Sequence, residues 1–331
     1  MTRVAVVGAS GVVGRVMLEC LGRSPLGDEL PVAFGSSRSA GSRVPFRDGE
    51  LAVRPLSMAT LEEFDVVLFS AGGAVAREWA PQFVARGALA VDNSSAFRLE
   101  PEVPLVVPEI NADDVPRGPG VVANPNCSTI ILVLALHPLR ALGRFRTVVS
   151  TYQAVSGAGR AGLEALRRER SGGAFEAGNP FPFPIEANLF PLIGGIEEHG
   201  NTTEERKIIL ESRKILGDPD LDVFATCVRV PVERCHSEAV TLLFDSPIEL
   251  TAARSRLVAA PGLELVDDPM QPPTPRPLAG ETQVRIGRLR QPSPTVLQFW
   301  IVGDQLLKGA ALNAVQIAEV FRQRTTSSPS S

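Results

Sequence analysis

The chain has 331 residues, of which 44% are hydrophobic and 21% are charged. This length exceeds the usual size of one hydrophobic core, so we expect two domains, and the composition excludes disorder of the main body. The formal net charge of -4 provides no basic surface of the kind that neutralises many phosphates, which argues against nucleic-acid binding and favours small-molecule partners.

The start of the sequence and the spacing of its cysteines favour a cytoplasmic protein. A strand-like run begins at Arg3, so we expect no signal peptide, and no apolar stretch approaches the length of a membrane span. The cysteines are widely separated and form no pattern typical of zinc or of a disulfide framework: Cys20, Cys127, Cys227 and Cys235. We therefore expect a reducing compartment and no metal.

Strand-like apolar runs alternate with helical stretches through the first third of the chain. The predicted strands are Val4–Val7, Pro31–Phe34, Val66–Phe69, Ala88–Val91, Leu105–Val107 and Val121–Ala123, and the predicted helices are Gly11–Leu21 and Ala74–Arg86. Such alternation predicts a parallel sheet covered by helices. The expected fold class is α/β, with an N-terminal Rossmann-type, doubly wound domain over residues 1–126.

A glycine-rich turn connects the first predicted strand to the first predicted helix. Its residues are Gly8, Ala9, Ser10, Gly11, Val12, Val13 and Gly14. The three glycines permit a tight turn, close approach to a phosphate and close helix packing, and the helix N-terminus attracts an anion. A purely structural turn is the alternative, but the position between strand and helix favours a dinucleotide-binding loop.

The end of the second predicted strand bears on the choice of nicotinamide cofactor. NAD sites usually have a carboxylate there that accepts hydrogen bonds from the ribose, and this chain has none. The loop instead offers hydroxyl groups and a guanidinium, which suit a phosphate on the ribose: Ser36, Ser37, Arg38 and Ser39. We therefore predict NADP, the alternative being a polar loop with an incidental arginine.

Cys127 is the candidate nucleophile. Residues 124–126 end the last strand of the first domain and cap a long apolar helix predicted over Ser128–Leu142, so Cys127 lies at its first turn. The helix dipole and the free amides at that end stabilise a thiolate. A buried structural cysteine is the alternative, and Cys20 and Cys227 fit that description better.

Beyond Cys127 the pattern changes to longer β-rich runs. They are Phe145–Val155, Val223–Val230, Glu238–Phe244, Thr282–Arg288 and Thr295–Val302. These runs predict a mixed or antiparallel sheet in an α+β domain over residues 127–304. A last helix is predicted over Leu306–Arg322, and the polar end of the chain, residues 325–331, is expected to be disordered.

A cysteine nucleophile needs a proton shuttle, and the chain has three histidines. His137 precedes a proline inside an apolar helix, where a structural role in the core is expected, and His199 lies in a polar turn. His236 begins an alternating strand, and its sequence context fits a shuttle and an ordinary strand-end residue equally well. Spacing alone does not pair His236 with Cys127.

Seven ordered blocks make the chain resemble the aspartate-semialdehyde dehydrogenase family from Gly8 to about Glu319. They are the glycine-rich turn and residues 93–98, 124–129, 151–159, 201–207, 229–238 and 308–313. The resemblance implies reversible NADPH-dependent conversion of L-aspartyl-4-phosphate into L-aspartate-4-semialdehyde and phosphate, in the biosynthesis of lysine, threonine, methionine and isoleucine. It also implies a homodimer, a catalytic and dimerisation domain like that of glyceraldehyde-3-phosphate dehydrogenase, and a C-terminal helix over residues 305–324 that completes the nucleotide domain.

The resemblance further implies a role for each site residue. Cys127 would form a thioester, His236 would act as acid and base, and Gln153 would orient the acyl group. Arg229 would bind the α-carboxylate and Glu204 the ammonium group. The other implied substrate-binding residues are Arg98 and Lys207, which would hold the phosphate, and Asn126, and the other implied cofactor-binding residues are Ser156, Gly157 and Asn313. With His236 as the base, turnover should fall at acid pH.

Two of these roles have plain alternatives. Without the resemblance, Arg98 and Lys207 would be read as solvated surface charges. Glu204 and Lys207 are three residues apart in a helical stretch, so both project from one face, as a shared substrate wall requires. An ion pair within the helix is the alternative.

Two positions depart from the family pattern. Cys235 stands where we expect glycine, which predicts a second thiol close to the active site and a risk of disulfide or sulfenic-acid chemistry with Cys127. Gln305 stands where we expect asparagine after Asp304, a position that bears on cofactor-domain packing or on the nicotinamide pocket. Neither departure removes a catalytic group.

Two other assignments compete with this one. N-acetyl-γ-glutamyl-phosphate reductase shares the thioester chemistry and a similar fold, but its cysteine motif resembles Asn-Pro-Gly-Cys, whereas residues 126–129 here are Asn-Cys-Ser-Thr. A non-catalytic Rossmann-fold relative should have lost Cys127, Gln153 or His236, and all three are present.

Overall fold

The computed structural model describes residues 2–326, and for Glu198 it describes the backbone alone. The chain divides into two compact units. The first contains the described residues up to Asn126 and from Ala310 onward, and the second is Cys127–Gly309. Within the described part of the chain, every helix is too short or too polar to serve as a membrane span.

The first unit is built on a seven-stranded sheet that is parallel except for one hairpin. Its strands are β1 Val4–Val7, β2 Val32–Gly35, β3 Arg43–Phe46, β4 Gly49–Pro55, β5 Val66–Phe69, β6 Leu89–Asp92 and β7 Gly120–Ala123, in the spatial order β3-β4-β2-β1-β5-β6-β7. Every residue of β1, β5 and β6 is buried, as parallel strands covered on both faces require. The predicted Rossmann-type sheet is confirmed.

The hairpin β3–β4 was missed by the sequence analysis, and one predicted strand is wrong. Residues 105–107 form no strand, because Leu105 makes only an isolated bridge with Ala123. The hairpin escaped notice because β4 is mostly exposed and polar, so it lacks the apolar run of a buried parallel strand.

The helices of the described chain are α1 Val12–Arg23, α2 Gly73–Val84, α3 Pro108–Asn111, α4 Cys127–Leu139, α5 Gly159–Arg170, α6 Thr203–Leu216, α7 Leu250–Ala259, α8 Pro275–Leu278 and α9 Leu312–Thr326. Helix α9 belongs to the first unit, where it packs against α1, β5 and β6. A π-helical turn, Leu307–Ala311, precedes it. Thr325 and Thr326 are helical, although the sequence placed them in the disordered tail, and residues 327–331 of that predicted tail lie outside the described residues.

The second unit contains a mixed six-stranded sheet, as predicted. Its strands are β8 Phe145–Gln153, β9 Val223–Arg229, β10 His236–Phe244, β11 Leu263–Leu265, β12 Val284–Ser293 and β13 Val296–Gly303, in the spatial order β11-β12-β13-β10-β8-β9. The pairs β8–β9 and β11–β12 are parallel, and the other neighbours are antiparallel. Helices α4, α6 and α7 pack on this sheet and leave its other face partly exposed.

Helix α4 is the centre of the second unit's core. Its residues are apolar on all sides, and those from Ser128 to Leu136 are buried, as expected of a helix enclosed by other elements. His137 is exposed, so the core position predicted for it is wrong. Because the body of α4 is fixed by packing, its first residue, Cys127, is held on a rigid element.

Candidate active site

One row of polar side chains crosses the end of the second sheet. In the strand register, Gln153 on β8 lies beside Arg229 on β9, and His236 on β10 lies opposite Gly303 on β13. Ser237 pairs with Tyr152, which places His236 next to Gln153. Gln153, Arg229 and His236 are all buried. The sheet therefore brings together three residues that lie far apart in sequence.

Two contacts fix the histidine. The backbone N–H of Ala154 donates to Nδ1 of His236 at 3.1 Å, and the carbonyl of Ala154 accepts from Nη1 of Arg229 at 2.5 Å. The other ring nitrogen, Nε2, is buried and has no hydrogen-bond partner within residues 2–326. Nothing in the sequence marks Ala154 as functional, yet its backbone contacts two predicted site residues, His236 and Arg229.

The pKa of His236 is lowered to about 3, first by burial and then by the positive charge of Arg229. Glu204 and the Cys235 carbonyl oppose this shift without cancelling it. The imidazole is therefore neutral near pH 7. The fall of turnover at acid pH stays a prediction.

Arg229 lies within electrostatic range of the candidate nucleophile. Burial lowers the pKa of the guanidinium, and the charges of Glu204, Cys127 and Cys227 act against that shift. These three groups therefore lie within electrostatic range of Arg229. The guanidinium carbon also lies 5.7 Å from the ring centre of Phe181. A guanidinium remains charged even when its pKa falls, so this is a fixed cation at the end of the sheet.

Cys127 is the first residue of α4 and the one cysteine among the four that is not fully buried. Its first-turn neighbours include no acidic residue. Gly309 packs directly on it, because a β-carbon at position 309 would lie 3.0 Å from Cys127 Cβ. The thiol is thus partly accessible at a helix N-terminus, where amide dipoles favour a thiolate.

Helix α6 presents Glu204 and Lys207 on one face. Glu204 Oε1 accepts a bond from Gln153 Nε2 at 3.3 Å, and Glu204 Oε2 lies 3.1 Å from Lys207 Nζ. The ion pair within the helix that the spacing allowed is therefore present. It coexists with the contact to Gln153, so Glu204 still reaches the row of site residues on the sheet.

A capping box fixes the start of α6. Thr202 accepts a hydrogen bond from the amide of Glu205 at 3.2 Å, and Glu205 Oε2 accepts one from the amide of Thr202 at 2.7 Å. Glu205 Oε1 also accepts from the backbone of Cys227 on β9 at 3.0 Å. These bonds hold the first turn of α6, and with it Glu204, against the sheet.

The thiol of Cys235 does not add to the site, which corrects the sequence prediction. Cys235 has φ +72° and its sulfur lies in an apolar cluster with Leu278, Val302 and Trp300. Burial raises the pKa of this thiol to about 12, and Asp304 adds to the shift. An enclosed, protonated thiol is not available to react with Cys127.

Gln305 connects two segments of the second unit. Its Oε1 accepts from the backbone N–H of Cys235 at 2.7 Å, and its Nε2 donates to Ser156 Oγ at 2.5 Å. Ser156 Oγ in turn donates to the carbonyl of Glu233. The side chain therefore ties the turn after Gln153 to the residues before His236, and its contribution could not be read from sequence.

Gly157 lies close to His236 and Arg229. A β-carbon at this exposed position would lie 2.9 Å from Arg229 Nη1 and 3.3 Å from both Cε1 and Nε2 of His236. A side chain at position 157 would therefore crowd Arg229 and the unpartnered nitrogen of His236. The predicted contacts of Ser156 and Gly157 with a cofactor stay predictions.

The glycine-rich turn in the first unit has the geometry of a phosphate-binding loop. Gly8 has φ +86°, and a β-carbon there would lie 2.5 Å from the backbone oxygen of Ser70, which follows β5. A β-carbon on Gly14 would overlap the carbonyl of Gly8. The first turn of α1 has no acidic residue and no side-chain cap within the described chain, so its amides can face an anion. The strand order reverses between β1 and β5, where doubly wound sheets bind nucleotides.

The loop after β2 is exposed and polar. Ser39 Oγ donates to the carbonyl of Ser36 at 3.0 Å, while Ser37 and Arg38 are exposed. Gly35 is required before this loop, because a β-carbon there would collide with Ser39 Oγ. The loop thus directs hydroxyl groups and one guanidinium outward at the edge of β2.

The remaining predicted residues of the first unit are buried. Arg98 donates from Nη2 to the carbonyl of Asn93 at 2.9 Å, so it is not the solvated charge that its sequence context suggested. Burial raises the pKa of Asp92, and the charge of Arg98 opposes that shift. Asn313 donates both Nδ2 hydrogens within the unit, to Asn124 at 2.7 Å and to the carbonyl of Val106 at 2.9 Å. Asn126 is also buried, and its predicted substrate contact, like the cofactor contact of Asn313, stays a prediction.

Within residues 2–326, no group of three or more His, Cys, Asp and Glu side chains is arranged to hold a metal ion.

Family models match both halves of the chain. Residues 3–117 match the NAD-binding domain of semialdehyde dehydrogenases, and residues 136–308 match their dimerisation domain. An aspartate-semialdehyde dehydrogenase from Synechocystis is 43% identical over 97% of this chain and 98% of its own length. The chain belongs to the aspartate-semialdehyde dehydrogenase family.

Solved structures agree with this assignment. Aspartate semialdehyde dehydrogenase II from Vibrio cholerae, complexed with ASA, is 37% identical over 98% of each chain, with a TM-score of 0.91. Aspartate semialdehyde dehydrogenase with NADP from Candida albicans is 25% identical over 98% of this chain and all of its own, with a TM-score of 0.77. Membership of the aspartate-semialdehyde dehydrogenases confirms the family inferred from the seven sequence blocks and sets aside the acetylglutamyl-phosphate reductase alternative.

Proposed function

We propose that this chain catalyses the reversible, NADPH-dependent reduction of L-aspartyl-4-phosphate to L-aspartate-4-semialdehyde with release of phosphate, through a thioester on Cys127. One observation carries the proposal: a partly accessible thiol at the start of α4 lies in electrostatic range of Arg229, in the same row as His236 and Gln153. The relatives named above are aspartate-semialdehyde dehydrogenases, which supports this substrate.

The charged ends of the substrate find complementary groups in the second unit. Arg229 is a buried fixed cation suited to bidentate contact with the α-carboxylate. Glu204 is buried and accepts hydrogen bonds from Lys207 and Gln153. Its carboxylate provides the negative charge for the ammonium group. Lys207 is partly exposed and is assigned to the phosphate.

Each catalytic group has one task in this scheme. Cys127 attacks the acyl carbon, and phosphate leaves as the thioester forms. Gln153 keeps its amide next to Glu204 and orients the acyl oxygen. His236 faces the reacting oxygen with Nε2, while its other nitrogen is held by Ala154. A bound nicotinamide would supply the hydride in the reductive direction.

NADP is the proposed cofactor. The turn from Gly8 to Gly14 would hold the pyrophosphate at the start of α1, and residues 36–39 would hold the phosphate on the ribose. The Candida albicans relative was solved with NADP, which supports the choice over NAD. The absence of a carboxylate at the end of β2 supports it further.

A homodimer is the proposed assembly, formed through the face of the second sheet that its own helices leave uncovered. On this face Val148 is 41% exposed and Phe224 is 56% exposed, and Tyr152 and Trp300 pack with ring centres 5.4 Å apart. Exposed aromatic and aliphatic side chains on a sheet face are typical of subunit contacts. The region lies inside the match to the dimerisation domain. We propose the cytoplasm as its location, because the thiolate chemistry needs a reducing compartment.

The test is a spectrophotometric assay of the purified protein with aspartate semialdehyde, phosphate and either NADP or NAD. We expect phosphate-dependent NADP reduction that is faster than NAD reduction, and its complete loss in Cys127→Ala. Activity only with N-acetylglutamate semialdehyde, or full turnover in Cys127→Ala, would refute the proposal. A folded His137→Gln protein, changed on the exposed end of the same helix, serves as the matched control.

A further inference from the structure

We propose that Thr151 is a positioning residue: its buried hydroxyl group accepts a hydrogen bond from the side-chain amide of Gln153 and so fixes the orientation in which that amide meets the acyl group of the substrate. The inference rests on the proposed function and deepens it, because it names a residue that acts on the reaction through Gln153. No role for Thr151 was predicted from the sequence.

Thr151 and Gln153 lie two residues apart on β8, so their side chains project from the same face of the sheet. Both side chains are buried. Nε2 of Gln153 donates to Thr151 Oγ1 at 3.3 Å and to Glu204 Oε1, also at 3.3 Å. A side-chain amide nitrogen carries two hydrogens, and these two acceptors engage both of them.

The two acceptors together determine how the Gln153 amide is turned. An ionised carboxylate can only accept hydrogen bonds, so Glu204 has to face the nitrogen of the amide and not its oxygen. Thr151 holds the second hydrogen from the strand itself. A rotation of the amide about its last side-chain bond would break both contacts, whereas without the Thr151 hydroxyl the amide could swing about the single bond to Glu204.

The hydroxyl hydrogen of Thr151 has its own acceptor on β9. Thr151 is paired with Cys227 in the parallel register of β8 and β9. Burial raises the pKa of the Cys227 thiol, and a hydrogen bond from Thr151 acts against that shift. The hydroxyl therefore donates toward the sulfur, which leaves its oxygen lone pairs for the amide of Gln153.

The neighbour of Thr151 on the other side does not compete for its hydroxyl. Glu238 on β10 is paired with Thr151 in the antiparallel register and is fully buried. Neither carboxyl oxygen of Glu238 has a hydrogen-bond partner within residues 2–326. The contacts of the Thr151 hydroxyl therefore run toward Gln153 and Cys227.

Thr147 shows that a buried threonine on this strand does not always have such a contact. It projects from the same face of β8, four residues earlier, and is equally buried. Its Oγ1 nevertheless has no hydrogen-bond partner in the described part of the chain. The bond to Gln153 thus belongs to position 151, and Thr147 provides a matched control for it.

Thr151→Val keeps the shape of the side chain and removes the hydroxyl, so it tests the proposal in the phosphate-dependent NADP assay. We expect kcat to fall about tenfold with the KM for NADP unchanged, because the acyl group is bound but less well oriented. Thr151→Ser restores a hydroxyl and should recover most of that loss. Thr147→Val should change neither constant.

Three kinetic outcomes would overturn the proposal. Unchanged kcat in Thr151→Val would show that the hydroxyl is unimportant. Equal losses in Thr151→Ser and Thr151→Val, or an equal loss in Thr147→Val, would show that the substitution acts through packing.

A double-mutant cycle measures whether Thr151 acts through Gln153. Once Gln153→Ala has removed the amide, adding Thr151→Val should lower kcat by no more than about a further twofold. A full tenfold loss in that background would mean that Thr151 acts by another route, and would overturn the proposal.

A last measurement needs no substrate and reads the amide itself. In protein labelled with ¹⁵N at the glutamine side-chain amides, the Gln153 signals are those that Gln153→Ala lacks. We expect their hydrogens to exchange with solvent about tenfold faster in Thr151→Val than in the wild type, and at the wild-type rate in Thr147→Val. Equal exchange in Thr151→Val and the wild type would contradict the bond. If the wild type proves inactive on aspartate semialdehyde, the proposed function fails, whereas the exchange rates judge the hold on Gln153 by themselves.

Discussion

Gly309 packs against Cys127 so closely that a β-carbon at position 309 would lie 3.0 Å from Cys127 Cβ, 3.3 Å from its Cα and 3.4 Å from its carbonyl oxygen. Two of these neighbours are backbone atoms, so the contact cannot be relieved by a side-chain rotation. The π-helical turn Leu307–Ala311, through Gly309, therefore limits where Cys127 can lie.

Gly309→Ala should displace Cys127 and lower kcat/KM by about 10²-fold if the shift approaches 1 Å. The cost in stability should stay within about 1–3 kcal/mol, as for other overpacked sites. Steady-state kinetics and urea unfolding check the two effects. Gly118→Ala is the control, because a β-carbon there meets nothing within 4 Å. Equal kinetics for both variants would show that the contact is unimportant.

Glu204→Gln should lower kcat/KM for aspartate semialdehyde about 10- to 100-fold, chiefly through KM, because a charged hydrogen bond to the ammonium is replaced by a neutral one. The change also leaves Lys207 without its anion at 3.1 Å. Initial-rate kinetics over a range of substrate concentrations separate KM from kcat. Glu164→Gln, which removes half of an exposed ion pair on α5, should leave both constants unchanged. An effect on kcat alone would argue against the ammonium assignment.

Arg38→Ala should raise the KM for NADPH by about tenfold and leave that for NADH unchanged, since only the phosphorylated ribose uses the guanidinium. Arg38 is exposed at the end of β2, so the substitution should not disturb folding. Arg43→Ala is the matched control on β3, the next strand along the chain, where the arginine is exposed and 3.8 Å from Glu50. Parallel changes for the two cofactors would place the selectivity elsewhere.

Iodoacetamide should modify the folded protein at Cys127 alone near pH 7.5. Burial raises the pKa of Cys227 and of Cys235, the latter to about 12, and Cys20 is buried within the first unit. Thiols that are protonated and enclosed react slowly. Peptide mass spectrometry should find all four modified in denaturant. Labelling of Cys235 in the folded protein would restore the second reactive thiol that the sequence suggested.

Glu238→Gln should stabilise the protein increasingly as pH rises. Burial raises the folded-state pKa of Glu238, and neither carboxyl oxygen has a hydrogen-bond partner within residues 2–326. Because its folded-state pKa is raised, Glu238 contributes its full stability below the unfolded-state pKa of about 4.3. That contribution is lost as pH rises toward the folded-state pKa. The variant should therefore gain up to about 1.4 kcal/mol on the wild type per pH unit above 4.3.

Urea unfolding at a series of pH values measures this difference. Glu164→Gln is again the control, since that carboxylate is exposed and should show no comparable trend. Parallel stability curves for the wild type and Glu238→Gln would mean that Glu238 is ionised in the folded state.

Much of the fold could be predicted from the sequence because buried parallel strands and helices leave local patterns. The wholly apolar runs of β1, β5 and β6 and the glycine-rich turn were recognisable as they stand. The short β3–β4 hairpin was not, because its exposed strands lack that pattern. The bridge at Leu105 looked like a strand because its neighbours are equally apolar.

The candidate site also has features that the sequence predicts and features that it does not. The sequence by itself determined which chemical groups are present: a cysteine at a helix start, a histidine at a strand start, and glycines where a phosphate must approach closely. Only the tertiary structure decided what surrounds them. The amide on Nδ1 of His236, the glycine behind Cys127 and the apolar enclosure of Cys235 come from segments far apart in the chain. Hydrogen bonding and burial act through space, so they fix a protonation state that no local pattern of residues encodes.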